Sequence, residues 1–600
     1  MERFAIAYKD HQFVKNQFPV KLKIALTSAF IALPIAPVAA QDGGAVLFKS
    51  SSVAKDIPSQ LKRKQSEHYR AIFKAMGGNQ WDTAKNLIAD APKGPLKSIA
   101  QAEYFLDANS PRAELGPLLV LVNEAPHIPQ AAQLGRLAKK RGAQLLPNLP
   151  QRRNLSYVPG LPIRKKPGSI KSDNGANAIR GQILGFIKND SPQSAEALLS
   201  NKADGLSSDA RTELEQRVAW SYYIENDDRS AQRMAKKAQK GSGPWVVHAD
   251  WVAGLSSWRL KDCQTASAAF DNVGRRAANA DLQAAGLYWG ARSDIVCGQP
   301  QKAQGKLQTA AKRSDSFYGL LSAQTLGMDI ASMKSRAGFA KGDWKTLKRH
   351  DNVKSAIALV EIGEEGLADE VLRHQARIGD SNDHAALLKL SRELNLPRTQ
   401  LWLAHHAPRG FKPDAQARFP APKWKPDGGW RVDPALVYAH TLQESAFRSK
   451  AVSPANAIGL MQVRPGTAGD IARANGRRFQ KSQLLEPSTN LEYGQSYLEY
   501  LSNSSITGSK LPKVAAAYNA GPGSVQRWNN EIQDNDDPLL YMESIPYVET
   551  RGYVSIIMRN YWMYEKQAGI KSASLRTLAQ NKWPSFPKKP DKSKTRFTAR

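Results

Sequence analysis

The chain has 600 residues, a hydrophobic fraction of 41% and a formal net charge of +31. This length exceeds what one hydrophobic core can organise, so we expect several domains, or a repeat array followed by a domain. The 13 Trp and 18 Tyr residues argue against a globally disordered chain. The basic balance predicts attraction to a polyanion, which could be nucleic acid, an anionic membrane or an acidic wall polymer. The sequence has no zinc-ligand spacing and no nucleic-acid-binding motif, which argues against nucleic acid.

The first 40 residues have the pattern of a secretory signal peptide. Lys15, Lys21 and Lys23 precede an apolar run over residues 24–35, and the small residues of 36–40 suit signal peptidase. A transmembrane anchor is the alternative, but the run is too short and prolines interrupt its end. We therefore expect cleavage after residue 40 and a mature protein in the periplasm or cell envelope. No later stretch is long and apolar enough to predict a membrane span.

Residues 41–64 are polar and are predicted to be a linker, and residues 65–406 have the pattern of a helical array. An aromatic helix, a polar turn and an Ala-bearing helix recur around Trp220, Trp251 and Trp289. The spacing is loose, which favours an irregular array of helical hairpins over strict repeats. Each hairpin would bury its apolar side on its neighbours, so we expect an all-α solenoid, or superhelix.

Three segments break this pattern. Residues 147–176 are rich in Pro, Gly and basic side chains and are predicted to be a long loop within the array. Residues 407–429 are predicted to be a second linker, which leads into a new domain over residues 430–570. Residues 571–600 end in a Pro- and Lys-rich stretch, so this basic tail is predicted to be disordered.

The chain has two cysteines, Cys263 and Cys297. In an oxidising compartment such a pair is a candidate disulfide. Two buried free thiols in neighbouring helices are the alternative, because the sequence does not supply the distance between them.

The region 430–570 begins with a strong helix start, since Asp433 is a good N-cap and Pro434 suits the first helical position. The helix continues over residues 435–447 with few polar side chains, and Glu444 is one of them. Desolvation on so apolar a helix would raise the pKa of this carboxyl, as a general acid near neutral pH requires. The alternative is a Glu that only forms an ion pair with a nearby Arg.

A second segment begins with the turn-rich residues 453–457 and continues through Gly459, Leu460, Met461 and Gln462. Gly459 permits close backbone approach, Met461 offers a soft apolar contact, and the Gln462 amide can bind sugar hydroxyl or N-acetyl groups. Core packing beside a turn is the alternative for this segment.

Two later segments complete the set. Residues 514–523 predict a helix of small residues that ends at a Gly-Pro-Gly stop, and residues 545–554 lead into an aromatic helix. The polar and aromatic side chains that they offer to a sugar-binding site are Tyr518, Asn519, Tyr547, Glu549 and Tyr553.

Together these segments resemble one known family. The residues 443–445 (Gln-Glu-Ser), 459–462 (Gly-Leu-Met-Gln), 517–521 (Ala-Tyr-Asn-Ala-Gly) and 547–550 (Tyr-Val-Glu-Thr) resemble, in order and spacing, the motifs of the soluble lytic murein transglycosylases. These belong to family 23 of the glycoside hydrolases, beside the goose-type lysozymes. The resemblance covers about 140 residues and implies a lysozyme-like, mostly helical catalytic domain. The preceding helical array resembles the superhelical part of the large soluble members.

The resemblance also implies an activity: cleavage of the β-1,4 bond between N-acetylmuramic acid and N-acetylglucosamine in peptidoglycan glycan strands. Ordinary glycosidases use two carboxylates, whereas this family is expected to use one. Glu444 would protonate the glycosidic oxygen and then take a proton from the muramoyl C6 hydroxyl, which attacks C1 to give a 1,6-anhydro sugar. No cofactor is implied, and the sequence does not decide between exo- and endo-cleavage.

The family motifs assign further roles residue by residue. Tyr518 matches the Tyr near the catalytic carboxyl, where its hydroxyl is expected to orient Glu444, and Ser445 matches a position that supports the sugar. The remaining matched positions, expected to line subsites or to hold the site together, are Gly459, Leu460, Met461, Gln462, Asn519, Tyr547, Glu549 and Tyr553.

Other functions remain open from the sequence. A hydrolytic muramidase would need a second carboxylate to activate water, and Asp433 or Glu549 is a candidate. A non-catalytic glycan-binding scaffold is a second alternative, against which the presence of Glu444 argues. His440 and Glu444 have the i, i+4 spacing of a metal pair, but no third ligand accompanies them, so no metal site is predicted.

Overall fold

The computed structural model describes residues 57–328 and 338–587. Within them the chain forms 27 α-helices and one short antiparallel pairing of β1 (Ser156–Tyr157) with β2 (His406–Ala407). This confirms the predicted all-α class. The predicted signal peptide, residues 1–40, and most of the predicted linker 41–64 lie outside the described residues. Among the described helices, none is both long enough and apolar enough to cross a membrane.

Two groups of helices that are far apart in sequence share one hydrophobic core. The first group is α1 (Arg63–Gly77), α2 (Trp81–Ala89), α3 (Lys97–Leu106), α4 (Leu115–Glu124) and α5 (Ala131–Lys140); the second is α15 (Lys341–Leu347), α16 (Asp351–Ile362), α17 (Glu365–Ile378), α18 (His384–Glu393) and α19 (Pro397–His405). The Glu361 carboxylate accepts the backbone N–H groups of Gln60 and Leu61 at 2.9 and 3.0 Å. The first helices of the predicted array therefore pack against its last helices.

The middle of the array is a row of helical hairpins. Its helices are α6 (Asn174–Lys188), α7 (Pro192–Lys202), α8 (Ser208–Ile224), α9 (Asp228–Ala238), α10 (Val246–Arg259), α11 (Cys263–Arg276), α12 (Ala280–Val296), α13 (Pro300–Ala311) and α14 (Phe317–Thr325). Trp220, Trp251 and Trp289 lie in α8, α10 and α12, and each of these helices pairs with the one that follows. The predicted hairpin unit is therefore confirmed for this part of the chain.

The helices α11 and α12 are joined at close range. A disulfide connects Cys263 to Cys297, with an S–S distance of 1.99 Å and a Cα–Cα distance of 5.6 Å. A Cβ atom built on Gly286 of α12 would lie 2.6 Å from the backbone nitrogen of Gly274 in α11, so the two backbones approach closely. The predicted disulfide is confirmed.

Residues 147–173, which we call the strap, are an ordered extended segment that connects the two cores. The Arg153 N–H donates to the Arg377 carbonyl at 2.8 Å, and β1 of the strap pairs with β2. Farther on, the Arg164 guanidinium contacts Asp281 at 3.1 Å and Glu543 at 2.8 Å. The sequence predicted a long loop over 147–176; the segment has little regular structure, but many specific contacts hold it, and α6 already begins at residue 174.

The last part of the chain forms a second helical unit. Its helices are α20 (Pro434–Ser445), α21 (Pro465–Ala474), α22 (Pro487–Asn503), α23 (Leu511–Ala520), α24 (Pro522–Glu531), α25 (Pro538–Ser544), α26 (Val548–Gln567) and α27 (Ala573–Ala579). The predicted linker 407–429 is not free, since Ala417 belongs to the first core and Phe419 to the second.

The prediction of disorder from residue 571 onward is wrong as far as residue 587. Leu578 of α27 is fully buried, the Leu511 N–H donates to the Pro584 carbonyl at 2.8 Å, and the Phe586 N–H donates to the Ser509 carbonyl at 2.7 Å. Leu575, Leu578 and Phe586 supply this packing, which the basic composition of residues 571–600 as a whole did not reveal. Residues 588–600 lie outside the described residues.

The middle array and the last unit share one core. Phe317 of α14 stacks on Trp562 of α26, with ring centroids 5.0 Å apart. The Tyr318 hydroxyl donates to the Glu543 carboxylate at 2.7 Å, and the Tyr223 and Ser544 hydroxyls are 2.7 Å apart. The array therefore positions α25 and α26, on which the site described next depends.

Candidate active site

The helix α20 places Glu444 in its last turn. Asp433 caps the start of this helix by accepting the Ala435 N–H at 2.9 Å, and Pro434 occupies the first helical position, as the sequence predicts. The helix ends at Ser445, because Ala446 adopts the left-handed conformation with φ of 49°. Glu444 thus stands at the end of a buried helix, with part of its side chain open to solvent.

The Glu444 carboxyl has one hydrogen-bond donor among the described side chains, the hydroxyl of Tyr553. This hydroxyl donates to Glu444 Oε1 at 2.6 Å, and its oxygen lies 2.8 Å from His440 Nδ1. The pKa of Glu444 is raised to about 7, chiefly by burial; the Tyr553 hydrogen bond lowers it, and the negative charge of Glu549 makes a smaller contribution that raises it. The sequence predicted this upward shift of the Glu444 pKa from the apolar character of the helix. A carboxyl with this pKa is populated in both protonation states near neutral pH, so it can both give and take a proton.

Tyr518 does not have the contact predicted for it. Its hydroxyl donates to the Met461 carbonyl at 2.8 Å, and its ring lies 4.7 Å from the His440 ring. The tyrosine hydroxyl that contacts the Glu444 carboxyl is that of Tyr553. The sequence placed both tyrosines in the site but could not assign their hydroxyl groups, because each comes from a different helix, Tyr518 from α23 and Tyr553 from α26.

The segment 458–463 is a tight loop that Asn490 holds from α22. The Asn490 side chain accepts the Met461 N–H at 2.8 Å and donates to the carbonyls of Ile458 and Leu484 at 2.9 and 2.8 Å. Gly459 has φ of +79°, and a Cβ there would lie 2.2 Å from Asn490 Nδ2, so only glycine fits. The predicted close approach at Gly459 is observed. Sequence reasoning missed Asn490. The one feature that could have revealed it is its position as an amide on an otherwise apolar side of α22.

Four of the predicted substrate contacts instead build this loop and the end of the helix. Leu460 and Met461 are fully buried, and Met461 packs against Gly494. The Gln462 amide donates to the carbonyls of Ala451 and Gly459, and the buried Ser445 hydroxyl donates to the Thr441 carbonyl at 3.2 Å. Met461 thus packs in the core beside the turn, the alternative that the sequence left open for this segment, and Ser445 is buried against its own helix; the roles expected of both at the sugar stay predictions.

Asn519, Tyr547 and Glu549 lie where α23 and α24 meet the start of α26. The Thr550 hydroxyl donates to Asn519 Oδ1 at 2.6 Å, which joins the end of α23 to the first turn of α26. The exposed Tyr547 accepts a hydrogen bond from Arg527 at 3.0 Å. Glu549 is exposed and acts on Glu444 through its charge. The hydrogen bond between Thr550 and Asn519 thus helps to fix the start of α26.

An exposed aromatic surface lies beside the site, on α22. Tyr497 and Tyr500 are nearly parallel, with centroids 6.2 Å apart and planes inclined by 12°, and Tyr497 lies 5.3 Å from Tyr518. Tyr500 is 62% exposed. Such rings suit the apolar face of a sugar. Sequence reasoning missed this pair, although the positions 493, 497 and 500 have the spacing of one helix face.

The geometry around His440 does not suggest a metal centre. Its Nδ1 atom is hydrogen-bonded to the Tyr553 hydroxyl. Within the described ranges, no group of three or more His, Cys, Asp or Glu side chains is arranged to hold a metal ion.

Comparison with known proteins supports the resemblance seen in the motifs. Residues 425–540 match the family described as the transglycosylase SLT domain. The chain is 36% identical over 157 residues to the soluble lytic murein transglycosylase of Salmonella typhimurium, covering 26% of this chain and 24% of that protein. It is 39% identical over 132 residues to the protein of the same name from Escherichia coli K12, covering 22% and 20% respectively. The matched part of the chain thus spans about a quarter or less of these curated relatives.

The likeness of folds extends much farther than the likeness of sequences. The 70 kDa soluble lytic transglycosylase from Escherichia coli superposes with a TM-score of 0.51 at 18% identity, covering 87% of this chain and 99% of that one. At this identity the superposition concerns the fold, and it confirms the predicted superhelical array followed by a helical domain. The resemblance to soluble lytic transglycosylases that the four motifs predict is confirmed.

Proposed function

We propose that this chain is a peptidoglycan lytic transglycosylase, a carbon–oxygen lyase that cleaves the β-1,4 bond between N-acetylmuramic acid and N-acetylglucosamine without water. Glu444 acts as the single catalytic acid and base. The observation that carries the proposal is the state of this carboxyl: its pKa is raised to about 7, chiefly by burial, and within residues 57–328 and 338–587 its one side-chain donor is the Tyr553 hydroxyl. The match of residues 425–540 to the transglycosylase SLT domain supports the choice of substrate.

The reaction has two proton transfers through the same group. Protonated Glu444 gives its proton to the glycosidic oxygen as the bond from that oxygen to C1 breaks. The resulting carboxylate takes the proton of the muramoyl C6 hydroxyl, whose oxygen bonds to C1 and closes the 1,6-anhydro ring. Glu444 returns to its protonated form, so the cycle balances. The tethered C6 hydroxyl has an effective concentration that favours it over water, and the substrate N-acetyl oxygen supports C1.

The positions of the other carboxylates favour one catalytic group over two. Asp433 lies eleven residues before Glu444 on the same helix, which corresponds to about 16 Å. It is buried and accepts a hydrogen bond from Tyr561 at 2.9 Å, so it is unsuited to activating water at C1. Glu549 is exposed and close enough to act on Glu444 electrostatically. It remains the candidate for a hydrolytic alternative, which the product analysis below distinguishes.

The setting of the reaction follows from the same proposal. The chain is expected to be exported by its first 40 residues, cleaved after Ala40, and to work on glycan strands in the periplasm. Tyr497 and Tyr500 are expected to stack on the sugars that flank the scissile bond, since they lie next to Tyr518. The net charge of +31 suits an anionic wall polymer.

The proposal is tested by digesting purified peptidoglycan with the mature protein and weighing the products. We expect muramoyl ends whose mass is lower by one water than that of the hydrolytic product. These ends should not react with borohydride, because they lack a reducing hemiacetal. Glu444→Gln should lower the rate of their release by at least about 10²–10⁴-fold, because it removes proton transfer while keeping the shape of the side chain. Release of muropeptides by this variant at the wild-type rate would contradict the role of Glu444.

A further inference from the structure

His440 is a buried polar residue to which the reaction above gives no role. It is fully inaccessible to solvent and lies one helical turn before Glu444 on the same face of α20. Its Nδ1 atom is 2.8 Å from the Tyr553 hydroxyl, and that hydroxyl is 2.6 Å from Glu444 Oε1. Its Nε2 atom has no hydrogen-bond partner among the residues that the structure describes. Because a buried polar side chain that is only half satisfied is costly, a purely structural role explains this arrangement poorly.

The hydrogen bonds fix the direction of each proton. A tyrosine hydroxyl has one proton, and an ionised carboxylate can only accept, so the Tyr553 proton points to Glu444. The Tyr553 oxygen then accepts from His440, which requires the proton of the neutral imidazole on Nδ1. Burial lowers the pKa of His440 to about 3, which keeps the ring neutral at pH 7. His440 is thus a fixed donor that prevents the Tyr553 hydroxyl from rotating away.

The titratable groups that face this chain of hydrogen bonds come from three neighbouring helices. Tyr518 of α23 packs on the His440 ring, with Tyr497 of α22 behind it. Glu549 and Tyr553 come from α26. Burial raises the pKa values of Tyr518 and Tyr553 well above the ordinary value, so both hydroxyls keep their protons. Glu444 is therefore the group facing these hydrogen bonds whose charge changes near neutral pH.

We propose that His440 is a positioning residue, which acts through the Tyr553 hydroxyl to hold Glu444 Oε1 as an acceptor and so directs the catalytic proton to Oε2. The inference rests on the proposed transglycosylase function. Because Oε1 receives the Tyr553 proton in both halves of the reaction, Oε2 is the oxygen that gives the proton and takes it back. The role belongs to this chain's own His440, a residue outside the four motifs that carry the family resemblance.

The test compares two substitutions in the full-length mature enzyme. His440→Phe keeps the ring but removes the donor, whereas His440→Asn keeps an N–H donor near the Nδ1 position. With His440→Phe we expect kcat to fall by about 10-fold with little change in KM. Since the Tyr553 hydrogen bond lowers the pKa of Glu444, its weakening should move the alkaline limb of the kcat/KM profile to higher pH. His440→Asn should restore both the rate and the limb.

A double-mutant cycle separates positioning from packing. If His440 acts through Tyr553, His440→Phe should have no further effect on kcat or on the pH profile in a Tyr553→Phe background. An equal loss in both backgrounds, or an unchanged profile and rate in the single variant, would overturn the inference and leave the proposed function intact. A wild-type enzyme that releases no anhydro products would remove the proposed function and this inference with it.

A measurement on the unmodified protein covers the case in which His440→Phe does not fold. Nitrogen-15 NMR of histidine-labelled wild type reports which ring nitrogen carries the proton. We expect the His440 signals to show a neutral ring with the proton on Nδ1 between pH 6 and 8. This range brackets the Glu444 pKa of about 7, so it contains both protonation states of the carboxyl. A ring protonated on Nε2 would be unable to donate to Tyr553 and would overturn the inference.

Discussion

At the residue scale, the property that suits Glu444 to its role also destabilises the folded protein. Burial raises its pKa to about 7 from an ordinary value of 4.5, so the folded state holds the proton more tightly than the unfolded state does. Folded stability therefore falls as the pH rises through the interval between these values, since the unfolded chain releases the proton first. Below this interval the penalty is absent, and above it the penalty is complete.

The variant Glu444→Gln should remove this penalty, because glutamine resembles the protonated acid. At pH 8 we expect the variant to be more stable than the wild type by about 1–3 kcal/mol, and near pH 4 the two should be equal. Thermal unfolding followed by circular dichroism between pH 4 and 8 measures the difference. A wild-type Tm that varies with pH in parallel with that of the variant would show that the Glu444 pKa is ordinary.

The neighbouring carboxylate gives a second prediction, with the opposite sign to that for His440. Glu549 raises the pKa of Glu444, so Glu549→Gln should lower this pKa and move the alkaline limb of kcat/KM to lower pH. The rate on the acidic side of the limb should change little, because Glu549 is not a proton donor in the proposed reaction. A loss of about 100-fold or more at all pH values would instead identify Glu549 as a second catalytic carboxylate.

The sequence predicted the identity of Glu444 but not the contacts that hold it. An apolar helix with a single suitable carboxyl and a family motif are local features, so they can be recognised in one stretch of chain. The partner hydroxyl comes from Tyr553, 109 residues farther along, and the loop 458–463 is held by Asn490, 32 residues from Ile458. Which of two tyrosines meets the carboxyl depends on how helices pack, and no local pattern contains that information.

At the scale of elements, the strap is the segment for which composition gave the least guidance. Proline and glycine predict an irregular backbone, and this is correct for residues 147–173. They do not predict partners, and the strap has many: Arg164 reaches Asp281 and Glu543, and the Arg559 guanidinium donates to the Pro162 carbonyl at 2.6 Å. The hairpins of the middle array were predictable because their aromatic and alanine positions recur along the chain.

The ion pairs of the strap should be important for stability. Arg164→Met removes the guanidinium that neutralises two carboxylates with little exposure, Asp281 and Glu543. Because the carboxylates would remain buried without a partner, we expect a loss of about 2–4 kcal/mol, somewhat less than for a fully buried pair since Arg164 keeps some exposure. Lys165→Met, at the exposed neighbouring position, is the control. Equal Tm values for the two variants would mean that the strap contributes little.

At the scale of the whole molecule, two cores organise the described chain, and neither follows the order of the sequence. The first joins α1–α5 to α15–α19, and the second joins the middle array to the last unit. The sequence predicted a solenoid of helical hairpins followed by a separate domain, because helical patterns reveal the elements and not their partners. The shared core explains how α26, which supplies Tyr553, is fixed by residues of the array such as Phe317.

The end of the chain provides a test of this arrangement. A protein truncated after residue 570 loses the buried side chains Leu575, Leu578 and Phe586. We expect its apparent Tm to fall by at least about 5 °C, since each buried leucine alone is worth a few kcal/mol. Truncation after residue 587 is the matched control and should leave the Tm unchanged. If both truncations behave alike, residues 571–587 do not belong to the core.

The central claim, a reaction without water at a single carboxyl, is tested most directly by the source of the oxygen in the products. Purified protein digests peptidoglycan in ¹⁸O-labelled water, and the new muramoyl ends are analysed by mass spectrometry. We expect 1,6-anhydro ends with no ¹⁸O, because the oxygen that closes on C1 comes from the C6 hydroxyl. Reducing muramoyl ends that carry ¹⁸O would contradict the central claim, since water would then be the nucleophile and a second carboxylate, with Glu549 the first candidate, would have to activate it.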